Sequence, residues 1–98
     1  MLSVHLICVG KLKEKFYLQA CQEYQKRLSA YCKLTLTELP EEKLPADPSQ
    51  AQIDAALEKE GASIRAKLPP GASLVCLCVE GKEYSSPQLA QLVDRWAQ

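Results

Sequence analysis

The residues of this chain with the clearest chemical potential are three lysines within five positions, Lys11, Lys13 and Lys15, in the segment Val9-Gly10-Lys11-Leu12-Lys13-Glu14-Lys15. The segment holds a single glycine, so it is neither a dinucleotide fingerprint nor a P-loop, both of which need several glycines at fixed spacing. Lysines that enter a helix at its N-terminus meet the positive end of the helix dipole, at a cost of a few tenths to about 1 kcal/mol each. An anion such as an RNA phosphate would offset that cost. The alternative is that the three side chains point to water and serve solubility.

Other candidates are weaker. Glu80, in Val79-Glu80-Gly81-Lys82, offers a carboxylate with no histidine or second carboxylate beside it in sequence. An acid so placed is ordinarily solvated, and general acid–base catalysis by Glu80 alone has little support. His5, the sole histidine, falls inside an apolar run, where a packed, hydrogen-bonded strand residue is expected rather than a base. No Ser-His-Asp or Cys-His arrangement can be built around it, so no catalytic residue is assigned. The cysteines are Cys8, Cys21, Cys32, Cys76 and Cys78. Their number is odd, no pair has C-x-x-C spacing, and one histidine cannot complete a zinc set; no metal is expected. Cys76 and Cys78 read as small buried hydrophobes. Free cysteines in this number suit a reducing cytosol, which makes a cytoplasmic location the expectation.

Composition narrows the class. The chain has 98 residues, 47% of them hydrophobic, with twelve basic and twelve acidic side chains. A single modest core is expected, and global disorder is not. Zero net charge gives no argument for a nucleic-acid partner; only the local distribution of charge can. No apolar run approaches the roughly 20 residues of a membrane span, and the N-terminus lacks the basic region of a secretory signal. No membrane partner is expected.

The elements that would position the lysines alternate in type. Val4 to Val9 is a nearly continuous aliphatic run ended by Gly10, the pattern of a buried parallel strand. From Glu14 to Leu28 the period changes, and Tyr17, Ala20, Cys21, Tyr24 and Leu28 share one helical face. Glu23 and Arg27 form an i,i+4 pair on the other side. Cys32 to Leu39 reads as a second strand with one wet face, since Leu34 and Leu36 alternate with Lys33, Thr35 and Thr37. Pro40 ends it, and Glu41 to Pro48 is an exposed loop. Ser49 or Asp47 caps a helix reaching Leu68, with Ile53, Ala56, Leu57, Ile64 and Leu68 as its apolar stripe. Gly61 weakens this helix by about 1 kcal/mol relative to alanine, and Pro69-Pro70-Gly71 stops it. Leu74 to Val79 is a third apolar strand ended by Gly81. Ser86 at the N-cap and Pro87 at the first helical position then open a helix carrying Leu89, Leu92, Val93 and Trp96 on one face.

The order is thus β-α-β-α-β-α, a Rossmann-like three-layer α/β unit with a parallel sheet and helices on both faces, in a single domain over residues 1–98. In such sheets ligands bind beyond the carboxyl ends of the strands, here at Gly10, Pro40 and Gly81. Three strands are few for a parallel sheet, and the last helix is followed by neither a C-cap glycine nor a further strand. The sequence is therefore expected to be the front part of a larger fold.

Two stretches carry a family resemblance. One is Ile7-Cys8-Val9-Gly10-Lys11-Leu12-Lys13-Glu14-Lys15, continuing through Glu23-Tyr24-Gln25-Lys26-Arg27-Leu28. The other is Leu77-Cys78-Val79-Glu80-Gly81-Lys82 with Ser85-Ser86-Pro87-Gln88-Leu89-Ala90. Glu38-Leu39-Pro40 and Glu58-Lys59-Glu60-Gly61 fall between them in the same order. Together they resemble the ribosomal RNA large subunit methyltransferase H family of the SPOUT superfamily, whose members carry a trefoil α/β knot. The resemblance covers essentially the whole chain. It implies a homodimeric enzyme that transfers a methyl group from S-adenosylmethionine to N3 of a pseudouridine in the 23S RNA of assembled ribosomes. It further implies cofactor contacts from Leu77 and from the backbone around Gly81. The family continues with a glycine-rich turn, a histidine-proline segment and a helix rich in arginine and tyrosine, none of which this sequence contains. The knot and most of the adenosine pocket would be missing, so the chain by itself is expected to be inactive. The alternative is a non-catalytic α/β module that binds RNA or dimerises.

Overall fold

A computed structural model of the chain describes residues 2–97. It divides into two compact units, one ending at Leu68 and the other beginning at Pro69.

The first unit is built on two parallel strands, β1 (Leu2–Val9) and β2 (Cys32–Leu39), joined through helix α1 (Lys15–Leu28) and followed by helix α2 (Gln50–Ala66). The register runs from Leu2 opposite Cys32 to Val9 opposite Leu39. The two strands therefore finish level, and the Gly10 N–H continues the ladder by donating to the Leu39 carbonyl at 2.8 Å. Helix α1 packs against β2 and α2 against β1.

Local chemistry explains the element bounds. The β2 limits match the sequence expectation, because Pro40 has no N–H to extend the ladder. Helix α2 begins at a full capping box: the Ser49 hydroxyl accepts from the Gln52 N–H at 3.2 Å, and the Gln52 amide oxygen accepts from the Ser49 N–H at 2.9 Å. Of the two predicted caps, Ser49 is the one used. The predicted Glu23–Arg27 pair forms at 3.1 Å on the exposed side of α1, worth a few tenths of a kcal/mol.

Burial is lower than the sequence suggests. Leu39 is the one buried hydrophobic residue among those described. The stripe of α2 is half-buried at Ile53, Ala56, Ile64 and Leu68, while Leu57 is exposed. The stripe of α1 is exposed, with Tyr17, Tyr24 and Leu28 all in the open. In β1 the expected two-faced burial is reached only in part, since Ile7, Cys8 and Val9 are half-buried but Leu6 and His5 are exposed. His5 is thus not the packed strand residue predicted. In β2 the alternation holds at Leu34 and breaks at Leu36. The physical reason is common to all of these: two strands offer too little sheet area to cover the apolar faces of two helices.

The second unit departs most from expectation. Residues 74–79 form no strand, and Val75, Leu77 and Val79 are exposed. Cys76 and Cys78 are exposed free thiols rather than buried hydrophobes. A parallel strand is held by ladder bonds to its neighbours, and no backbone ladder engages these residues among those described. The sheet thus has two strands rather than three, and the described order is β1-α1-β2-α2-α3. Helix α3 (Ser86–Trp96) is capped by Ser85, one residue earlier than predicted. The reason is reciprocity. Gln88 lies three residues after Ser85 and returns a bond to the Ser85 N–H at 2.9 Å, whereas the residue three after Ser86 is Leu89, which has nothing to return. Pro87 still sits in the first turn. Leu92 and Val93 are half-buried, and Leu89 and Trp96 are exposed.

Candidate nucleic-acid interface

The level ends of β1 and β2 bring together two chain segments that are distant in sequence, as the pairing of Val9 with Leu39 requires. Gly10 turns the chain out of β1 with φ at +92°, a conformation that side chains other than glycine rarely adopt. Glu41, just past β2, occupies the space beside it: a Cβ at Gly10 would lie 2.9 Å from the Glu41 Oε1.

Between these two exits lies an open hollow of about 520 Å³. Lys11 and Lys13 line it from the β1 side; Glu38, Glu41 and Lys43 line it from the β2 side. Three lysines and two glutamates thus contribute to the wall of one concavity, together with Gly10, Leu39 and Pro40. It sits beyond the carboxyl ends of parallel strands, where open α/β sheets place their ligands. Lys15 is the first residue of α1 and is exposed outside that lining.

Helix α1 starts poorly from its own resources. Glu14 has the extended backbone of an N-cap but makes no side-chain cap bond, and no acid occupies the first turn. Its first N–H groups therefore lack the side-chain partner that α2 and α3 possess. The loop after β2 is anchored instead to α2, where the Glu42 N–H donates to the Glu60 carboxylate at 3.0 Å.

The sequence pointed to Lys11 and Lys13. It missed Lys43, Glu38 and Glu41, although parallel pairing of strands that end at Gly10 and Pro40 was the available signal that residues around Pro40 would join the lysines.

The expected cofactor residues lie in the second unit. Leu77 is 88% exposed. Gly81 closes a tight turn in which its N–H donates to the Cys78 carbonyl at 3.1 Å, and a Cβ there would stand 3.1 Å from that same oxygen. An S-adenosylmethionine site needs an enclosed cavity. An exposed leucine and a backbone N–H already spent inside its own turn do not fit that group by themselves. Glu80 is exposed at the same turn. No group of three or more His, Cys, Asp or Glu residues able to hold a metal occurs among the described residues, and no described helix is long and apolar enough to cross a membrane.

A parallel α/β unit with a charged concavity at its strand ends is shared by many enzyme classes, and the sequence comparisons choose among them. The family described as "Predicted SPOUT methyltransferase" matches residues 2–98, and the chain belongs to that family. Within it, the chain is similar to proteins named ribosomal RNA large subunit methyltransferase H: 44% identical over 96 residues to that of Listeria monocytogenes serotype 4b (strain F2365) and to that of Listeria monocytogenes serovar 1/2a (strain ATCC BAA-679 / EGD-e), and 42% identical to that of Listeria welshimeri serovar 6b. Each match covers 98% of this chain and 60% of the relative.

Proposed function

We propose that this chain serves methylation of large-subunit ribosomal RNA, and that its own contribution is to hold the RNA. The observation that carries this is the concavity at the β1 and β2 ends, with Lys11 and Lys13 in its lining and Lys15 close by in sequence. Phosphate contacts by lysines position a nucleic acid without reading its sequence.

In this reading the methyl donor is S-adenosylmethionine and the acceptor is N3 of a pseudouridine in 23S RNA of the ribosome. Both follow from the family resemblance; the names of the relatives support the coarser statement, methylation of large-subunit ribosomal RNA. Leu77 and Gly81 are proposed to border the donor but not to enclose it, so the 98 residues alone transfer no methyl group. A cytoplasmic location follows from a ribosomal substrate. A homodimer is also proposed, supported by the exposed Leu6 and Leu36 on the two strands and by β1 pairing, among described residues, with β2 alone. The exposure of Leu77 favours one second reading, a module that binds RNA or dimerises without taking part in catalysis.

Co-sedimentation with large ribosomal subunits at low salt tests the RNA role. The chain should sediment with the subunits, and the variant with Lys11, Lys13 and Lys15 all changed to alanine should stay in the supernatant. Equal sedimentation of the two proteins would rule the role out.

A further inference from the structure

Helix α2 carries one residue that its packing does not explain. Ile53, Ala56, Glu60 and Ile64 fall at i, i+3, i+7 and i+11, one face of the helix, and all four are half-buried. The helix packs against β1, and an apolar side chain at position 60 would serve that contact. A half-buried carboxylate there costs desolvation unless it is bonded. Glu60 is bonded: its Oε2 accepts from the Glu42 N–H at 3.0 Å. Bonds to a charged acceptor are stronger than neutral ones, and this one ties α2 to the loop that follows β2.

The bond is the second of two anchors on a short piece of backbone. The first is the Leu39 carbonyl, which accepts from the Gly10 N–H at 2.8 Å. Pro40 lies between the anchors, and its ring fixes φ. The backbone from Leu39 to Glu42 is thus held to the end of β1 on one side and to α2 on the other. Lys43 comes next in the chain and lines the hollow together with Lys11 and Lys13. Its position follows from an anchor on a different helix, not from the first loop.

We propose that Glu60 is a positioning residue for RNA binding: by fixing the Glu42 backbone it holds Lys43 at the wall of the hollow, where Lys43 serves as a phosphate contact in addition to those of the first loop. The proposal rests on the RNA role assigned above. It adds to that role a cation from the β2 side and an acidic residue that acts only through it.

The test uses the 98-residue chain, a labelled single-stranded RNA, and the variants Glu60→Leu, Glu60→Gln and Lys43→Ala. Leucine and glutamine remove the same charge at similar size, but only glutamine keeps an acceptor for the Glu42 N–H. Relative to Glu60→Gln, Glu60→Leu should bind RNA about threefold or more weakly. It should also lower the magnitude of the log–log salt slope by about 0.7, the value of one phosphate contact on a single strand. Glu60 carries no positive charge, so a lowered slope reports a lost lysine contact. Lys43→Ala should lower the slope equally, and adding it to Glu60→Leu should lower it no further. Leucine suits the apolar stripe, so α2 should stay folded, which circular dichroism checks. Equal affinity and parallel salt lines for the leucine and glutamine variants overturn the inference. So does an unchanged slope for Lys43→Ala, a result that does not depend on how the leucine variant folds. In either event, binding by the parent that is lost on replacing Lys11, Lys13 and Lys15 leaves the RNA role standing, whereas no binding by the parent removes both.

Discussion

Glu41 presses against Gly10 across the ends of the two strands, its Oε1 standing 2.9 Å from where a Cβ on Gly10 would be. The φ of +92° holds that position as glycine, whereas the Glu41 carboxylate is the far end of an exposed side chain that can swing aside. Gly10→Ala is expected to destabilise the first unit by about 1–2 kcal/mol, most of it from the backbone conformation. Adding Glu41→Ala relieves the crowding and should recover only a minor part of the loss. Urea unfolding of both variants measures this, and full recovery in the double variant would show that crowding rather than φ dominates.

Gly61 is the opposite case. It sits in the middle of α2, and the nearest atom to a new Cβ belongs to the Arg65 guanidinium at 3.3 Å, the mobile end of a side chain. Nothing else stands within van der Waals range, so Gly61→Ala should stabilise the chain by about 0.5–1 kcal/mol through helix propensity and reduced unfolded-state entropy. A lower urea midpoint would show that Arg65 and its 3.6 Å pairing with Glu58 cannot yield.

The start of α1 offers a second stabilising change. Glu14 already has N-cap backbone angles of φ −80° and ψ 125° but makes no cap bond. Glu14→Asp shortens the side chain to one that caps well while keeping its charge, and a gain of about 1 kcal/mol is expected. Hydrogen exchange at the amides of residues 16 and 17 reads it locally: protection should rise there and not in α3.

The cofactor residues give a negative expectation. With Leu77 exposed and the Gly81 N–H committed to Cys78, calorimetric titration of S-adenosylmethionine into the chain should produce no saturable heat. Saturation at micromolar ligand would mean that an enclosed site forms from these residues after all, and the division of labour between RNA holding and methyl transfer would have to be redrawn.

The sequence carried the local rules of this fold well and the tertiary ones less well. Pro40 set the end of β2, the Ser49 cap set the start of α2, and the Glu23–Arg27 pair followed from spacing alone, because each depends on atoms within a few residues. The cap of α3 was displaced by one position because Gln88, not Ser86, decided it. The third strand was predicted from the apolar run Leu74 to Val79, but a parallel strand exists only through its neighbours, and no local pattern supplies those. For the same reason the aromatic stripe of α1 looked like core and is exposed. Lys43 and Glu41 were invisible as site residues because their nearness to Lys11 is set by the parallel register and not by any spacing along the chain.

The salt dependence of RNA binding is the most direct measurement of whether this chain holds RNA through its first loop. Affinity for a labelled single-stranded RNA, measured across a series of salt concentrations, should give a log–log slope whose magnitude falls by about 2 when Lys11, Lys13 and Lys15 are all changed to alanine, at about 0.7 for each phosphate no longer neutralised. Parallel lines for the parent and the triple variant would place the phosphate-binding groups elsewhere and contradict the assignment.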